Sequence, residues 1–409
     1  MKLLIKLAWR NIWRNKRRSI ITLAAVVFAS VMAITMRGIQ LGTYVLNIRS
    51  VVELFSGYLQ IQDRRYLMNP SLNASFTIDK NTKEALEKTK GVLGYAPRIY
   101  AYALISYKDN SRSAAVFGIE PDKEKGVTTF VQNINSGKFF TSDSSDQIVV
   151  GDQLLKNLGA KVGDDIVLIA QGYNGTLGNQ NYRIAGTVKL GVQKLESALI
   201  FMGLKSAQTL FSMGNRINVV AIKADNLDHI QEINHSLSSE IKNPDLKVLT
   251  WNKVNPELEQ AIQLDNVSGI FFLGILIVIV AFGILNTVLM SVIERFHEFG
   301  VVLAIGMPQV KLINLVLIET FFITVIGLLT GNIFGYIVNY YLIIHPITFG
   351  GEAKKLYDIY HFLPQIQSTL KPSIFFNVSV SILLISALSC FYPAYKVYKL
   401  EPLKGIRHT

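Results

Sequence analysis

The sequence has almost no cysteine and little charge. One thiol, Cys390, occurs in 409 residues. That excludes an internal disulfide and a cluster of thiolate metal ligands, and its place in an apolar run points to an inert, packed side chain. Only 17% of residues are charged while 50% belong to the hydrophobic set; a soluble globular domain carries about 25% charge. No G-x-x-x-x-G-K-[ST] is present, so nothing cradles a nucleotide phosphate in the P-loop manner. The six histidines are scattered without H-E-x-x-H, and no Ser, His and acid set stands out. An enzyme reading is weak, and no cofactor or metal is expected on this chain. "GYNGTLG" (172–178) is Gly-rich but follows a strand with no helix opening after it, so it reads as a turn. The Asn-x-Ser/Thr triplets, such as 174–176, are taken as chance in a chain rich in Asn and Ser.

Apolar length, by contrast, is plentiful. Crossing a hydrocarbon core takes roughly 20 helical residues, and residues 266–290 supply such a run without a charge. Residues 373–393 supply another, with serines able to bond back to their own helix. The run 312–344 carries Glu319 as its one formal charge and is long enough to tilt. Residues 19–35 follow a basic flank, as a secretory signal also does. The flank is longer than a signal needs and no small-x-small cleavage site follows, so a retained span is favoured.

Lysine and arginine set the orientation. Lys2, Lys6, Arg10, Arg14, Lys16, Arg17 and Arg18 crowd the first eighteen positions without an acid, and Lys396, Lys399, Lys404 and Arg407 mark the far end. Both ends are therefore expected in the cytoplasm. The net charge of +12 is then a membrane-surface feature and no nucleic-acid partner is expected. Lys2, Lys6, Arg10, Arg14 and Arg18 recur every fourth residue beside Leu4, Leu7, Trp9, Ile12 and Trp13, as in a helix lying in the interface.

The expected organisation is an interfacial helix (1–18), first span (19–42), extracytoplasmic domain (43–264), second span (265–291), cytoplasmic helix (292–310), third span (311–344), short outer loop (345–371), fourth span (372–393) and cytoplasmic tail (394–409). In the large outer segment "YLQIQD", "AYALISY", "SAAVFGIEP", "QIVVG", "DDIVLIA" and "NVVAIKA" are β-rich, while "TKEALEKTK", "GDQLLKNLGA" and "SAQTLFS" have helical spacing. The fold class is thus an α-helical membrane protein with four transmembrane helices and a large extracytoplasmic α/β domain.

Two intramembrane features stand out. Gly327, Gly331 and Gly335 share one face of the third span, allowing close helix approach within one protomer or at a subunit seam. Glu319 lies eight residues past Lys311, roughly 12 Å along the helix. A carboxylate at that depth needs a partner, with Asn286 or an N-terminal arginine as candidates. The link between the second and third spans, "ERFHEFGVVLAIGMP", has a polar end at Glu294, Arg295 and Glu298, an apolar face of Phe299, Val302, Leu303 and Ile305, and a stop at Gly306 and Pro308.

That link resembles the coupling-helix segment of FtsX-like ABC permeases, the group containing MacB-type exporters and lipoprotein-releasing Lol permeases. "LAWRNIWRNKRRSIITLAAV" is similar to the family's N-terminal helix and first span, "IVVGDQLLKNLGAKVGDDIVLIA" to its MacB-like periplasmic core domain, and "PAYKVYKLEPLKGIRH" to its closing P-A-x-x-A-x-x-x-x-P-x-x-x-L-R signature. Tyr395, Lys396 and Tyr398 around the alanine positions, and Ile406 for leucine, are mild departures.

The resemblance implies a bacterial inner-membrane permease whose work is done outside, powered by ATP and Mg in a separate P-loop ABC ATPase dimer. Glu294, Arg295, Glu298, Phe299, Gly300, Ala304, Gly306 and Pro308 would sit in the ATPase groove, and Asn286, Glu319 and the glycines would lie along the transmitting spans. Four spans imply a second permease chain, identical or paralogous. Release of a lipoprotein to a periplasmic carrier fits best. A MacB-type exporter of peptides, toxins or drugs, a cell-wall regulator, and a membrane-anchored enzyme or receptor without an ATPase remain open.

Overall fold

The computed structural model describes residues 2–14, 16–191, 193–351 and 365–399. Much of the outer loop (352–364) and the tail from 400, with Lys404, Ile406 and Arg407, lie outside the described residues. The chain divides into two compact units, one helical and one α/β, the latter built mainly from Leu46–Ala261.

The helical unit begins with the helix expected at the interface, Lys2–Arg14. Four helices are long and apolar enough to cross a membrane. The first span lies in Lys16–Val51, the second in Pro256–Glu294, the third in Gln309–Ile344 and the fourth in Pro372–Ser389, which Cys390 separates from a last helix, Phe391–Tyr398. These helices overrun the apolar segments. Pro256 opens the second, followed by Glu257 and Glu259 in its first turn, where fixed φ and negative charge favour a helix start well before the apolar run.

In the second span Val280, Ile284, Val288 and Val292 recur every fourth residue as one buried stripe. They pack with Val26 and Ile34 of the first span, Leu312 and Leu328 of the third, and Val378 and Ile382 of the fourth. Other faces expose Phe271, Phe321 and Phe376, as hydrocarbon around the bundle permits.

Ten strands of the α/β unit form one sheet: β1 (Leu59–Asp63), β2 (Val92–Tyr107), β3 (Asn110–Ile119), β4 (Ile134–Gly137), β5 (Gln147–Gly151), β6 (Asp165–Gln171), β7 (Leu177–Val188), β8 (Leu199–Gly203), β9 (Val219–Ala224) and β10 (Leu246–Thr250). The order is β10-β1-β9-β2-β3-β8-β5-β7-β4, with β6 bridging β2 and β7. Pairs β3–β8 and β5–β7 are parallel and the other pairs antiparallel. Strands β1 and β8 are buried along their whole length, which is why "LIFMG" is a continuous apolar run. The 172–178 stretch forms the β6–β7 turn, closed by Gly172 N–H donating to Thr176 O at 2.6 Å.

Candidate coupling site

The second span stops where Arg295 leaves helical geometry (φ −100°, ψ 11°), and the chain enters the candidate coupling helix, Phe296–Ala304. This helix is shorter than the 292–310 expectation because both ends are punctuated. At the far end Gly306 takes φ +102°. Its N–H donates to Leu303 O at 2.9 Å, and that of Met307 to Val302 O at 3.2 Å. Such a pair of bonds closes a helix on a left-handed residue, which glycine adopts without strain. Pro308 (φ −66°) then leads into the third span.

An ion-pair network surrounds the first joint. Arg14 Nη2 donates to both oxygens of Glu298 at 2.9 and 2.6 Å, and Arg18 pairs with Glu294. Arg295, its side chain 9% exposed, turns inward. Its Nη1 donates to both Glu319 oxygens at 3.0 and 3.1 Å, and its Nε to Glu298 at 3.3 Å. The guanidinium lies over the Phe299 ring, 4.8 Å from its centroid. Asn11 Nδ2 donates to Glu319 Oε1 at 2.6 Å, and Trp9 meets Phe322 edge-on at 6.0 Å. Interfacial helix, first span, coupling helix and third span are therefore wired together through charge. A polar cavity of about 40 Å³ at this junction is lined by Ser19, Thr22, Thr287, Ser291 and Thr320 beside Arg295 and Glu319. Outside the spans, burial works against ionisation of Glu298, but Arg14 and Arg295 hold its carboxyl below the usual carboxylate range.

Several expected roles change. Glu319 bonds neither Asn286 nor an N-terminal arginine. Arg295 and Asn11 satisfy it, because Thr287, Val288 and Ser291 are the residues of the second span that face the junction, leaving Asn286 exposed. Arg295, Phe299 and Gly300 are buried rather than presented outward, since the cation needs the Glu319 carboxylate and Phe299 packs beneath it. Glu294 and Glu298 are at the surface but engaged by Arg18 and Arg14. The face left open is His297, Val301, Ala304, Ile305 and Pro308, with Gly306 beside it; Ile305 is 81% exposed. The junction contacts of Asn11 and Trp9 were missed in the sequence. A usable signal for the basic partners was the matched four-residue spacing of Arg14/Arg18 and Glu294/Glu298.

The three glycines pack within the protomer. A Cβ on Gly327 would come within 2.7 Å of Val26 Cγ1, on Gly331 within 2.5 Å of Ser30 Cβ, and on Gly335 within 3.0 Å of Ile34 Cγ2. The face is used up against the first span. Nearby, Asn339 accepts from Ser368 Oγ at 2.5 Å and donates to Ile34 O at 3.4 Å, and Thr324 bonds Ser386 at 2.7 Å. Hydroxyls and amides thus tie spans together where lipid offers no partner.

Four apolar helices, a linking helix wired to them by charge, and a large α/β domain define a polytopic membrane protein. The family model of the MacB-like periplasmic core domain matches residues 19–239, and that of the FtsX-like permease C-terminal region matches 270–402. The chain belongs to the FtsX-like ABC transporter permeases that carry a MacB-like core domain. It is 21% identical over 392 residues to the lipoprotein-releasing system transmembrane protein LolC of Neisseria meningitidis, covering 92% of this chain and 93% of that one. Its identity to the protein of the same name from Xylella fastidiosa is 23% over 411 residues, covering 97% and 96%. To the macrolide export ATP-binding/permease protein MacB of Escherichia coli it is 21% identical over 344 residues, covering 82% of this chain and 52% of that protein.

Proposed function

We propose that this chain is the transmembrane subunit of a transporter that releases lipoproteins from the bacterial inner membrane toward a periplasmic carrier. Power comes from a separate P-loop ATPase dimer that uses ATP and Mg, and a second permease chain completes the assembly. Both termini and the coupling helix are cytoplasmic, and the α/β domain is outside. One observation carries this reading: the coupling helix keeps an apolar outward face while ion pairs at its polar end, Arg14–Glu298, Arg18–Glu294 and Arg295–Glu319, tie it and the joint before it to the N-terminal helix and to the first and third spans. Closure of the ATPase presses on Val301, Ala304 and Ile305. The Arg18–Glu294 and Arg295–Glu319 pairs then pass the displacement to the first and third spans, as stiff levers for the external domain. Similarity to permeases named for lipoprotein release over nearly the full length of both chains supports the substrate class.

The test replaces Ile305 with Glu. The expected result is a chain that inserts and folds but loses its co-purifying ATPase and the associated ATP turnover. Unchanged turnover sinks the coupling role. Depletion in cells separates substrate classes: lipoproteins retained in the inner membrane support this reading, whereas intact lipoprotein sorting with lost peptide or drug export favours a MacB-type exporter.

A further inference from the structure

The helix that holds the first span does not end in open solvent. It runs to Val51 and closes in a π-helical turn, Val52–Ser56, where Gly57 takes φ +75° and its N–H donates to Val52 O at 2.9 Å. The last carbonyls of a helix have no partner within it, and a π turn is uncommon and recurs at functional positions. Here the α/β unit collects those carbonyls. Thr129 donates to Glu53 O through its N–H at 2.9 Å and its Oγ1 at 3.3 Å. Gln60 Nε2 donates to Ser56 O at 2.7 Å, and Arg98 Nη1 to Phe55 O at 2.6 Å. The Phe55 ring packs edge-on against Phe117, centroids 4.6 Å apart.

Arg98 is the charged donor of this set. A cation at a helix C-terminus meets the negative end of the macrodipole, and a bond from a charged donor is roughly twice as strong as a neutral one. Arg98 stands on β2, which is hydrogen-bonded to β3, β6 and β9, and Glu124 Oε2 holds the guanidinium by accepting from Nε at 3.0 Å. Stability alone does not call for a buried ion pair here, since apolar residues of similar volume commonly serve as well. The helix that holds the second span meets the same turn through neutral groups: Asn255 Nδ2 donates to Ser56 Oγ at 3.2 Å, and Trp251 N–H to Tyr58 O at 3.1 Å.

We propose that Arg98 is a positioning residue that fastens the first-span helix to the sheet, so that a displacement of this helix enters the α/β domain at β2 through the Phe55 carbonyl. Glu124 aims the guanidinium, and Thr129 and Gln60 hold the turn in its π form. The first helix drives the domain and the second follows. This rests on the reading of the first span as a lever and names the point at which the lever grips.

The test uses the full chain with its ATPase in lipid vesicles, with Cys390→Ser removing the native thiol. Arg98→Lys keeps a charge opposite Glu124 but lacks the fork that also reaches Phe55 O. One readout is the release of a fluorescently labelled bacterial lipoprotein per ATP hydrolysed. The other is the pulsed-EPR distance between spin labels at Arg49→Cys on the helix and Ser113→Cys on β3, both exposed positions, with and without a non-hydrolysable ATP analogue. With Arg98 in place the nucleotide should leave this distance unchanged, because helix and sheet move together. In Arg98→Lys the nucleotide should change the distance, and release per ATP should fall about tenfold while ATP turnover continues. Glu124→Gln, which leaves Nη1 on Phe55 O, should unfold at a lower temperature yet keep most of the release per ATP. If Arg98→Lys does not fold, Arg98→Met with Glu124→Leu, which strands no charge, takes its place with the same expectation. Either a label distance that stays constant in the variant or an undiminished release per ATP overturns the proposal, as does an equal loss of release in Glu124→Gln. A parent chain that turns over ATP but releases no lipoprotein sinks the substrate reading alone, and the label distance then decides the fastening.

Discussion

Arg98 in the α/β unit and Arg295 in the helical unit are both buried cations facing a glutamate, and they are built for different ends. Arg98 is sealed. With Glu124 it is 1% and 0% exposed, and every direction is filled: Nε donates to Glu124 Oε2 at 3.0 Å, Nη1 to Phe55 O at 2.6 Å and Tyr100 Oη at 2.5 Å, while Thr128 Oγ1 donates to Glu124 Oε1 at 2.5 Å. Phe130 closes one side, 6.0 Å from the guanidinium to its ring centroid. Arg295 divides its donors between Glu319 and Glu298, and Glu298 is half exposed and shared with Arg14. A pair with no spare acceptor holds one geometry. A cation between two acceptors, beside a polar cavity, has somewhere to go.

The comparison breaks first at the sealed pair. Glu124→Leu strands a buried guanidinium, and removing one partner of such a pair costs about 3–5 kcal/mol. Thermal unfolding should show a larger loss than any single substitution around Arg295 produces, and the double change Arg98→Met with Glu124→Leu should recover most of it. Were the single change mild, the pair would not be the anchor its geometry implies. Glu319→Gln comes next. It retains bulk and hydrogen bonding, so the stability loss should be about 1–3 kcal/mol, while ATP turnover with the partner ATPase should fall about tenfold. Equal effects on folding and turnover would make Glu319 merely structural.

The glycine face comes third and is graded. Gly331→Val drives new atoms into Ser30 and should destabilise the helical unit by about 1–3 kcal/mol. Gly335→Ala, with the widest of the three clearances, should cost least, in heat-induced loss of the purified complex. A reversed order would show that these glycines do not set the approach of the first and third spans.

How much of this was legible follows from which forces are local. Apolar runs such as 266–290 and "QIVVG" announce their burial residue by residue, so the spans and β1, β2, β3, β5, β6 and β9 were readable. Strand β7, "LGNQNYRIAGTV", was not, because its outward positions carry Asn, Gln and Arg and its glycines mimic a loop. The coupling helix was legible as an amphipathic segment, but not which side faced out. That is decided by Arg14 and Arg18, 284 and 276 positions away. Glu319 announced a need for a partner without naming one, since Arg295 reaches it only through the break in helical geometry before Phe296.

The smallest expected effect belongs to Arg14–Glu298. Both side chains are about half exposed (48% and 50%), and exposed pairs contribute at most about 1 kcal/mol. Folding should therefore tolerate Glu298→Arg. Coupling should not, because the pair is what fastens the helix to the N-terminal segment. Arg14→Glu alone and Glu298→Arg alone should each lower ATP turnover several-fold, and the exchanged pair should restore part of it, leaving a non-additive remainder in a double-mutant cycle. The pH dependence has a definite sign. The folded carboxyl of Glu298 titrates below its ordinary value, so its contribution is complete above the normal carboxylate range and fades as pH falls through the lowered one. Raising salt should weaken the same contribution by screening while leaving the sealed Arg98–Glu124 pair untouched. An activity loss in salt that persists in the Glu298→Gln chain would place the sensitivity elsewhere and remove this pair from the path.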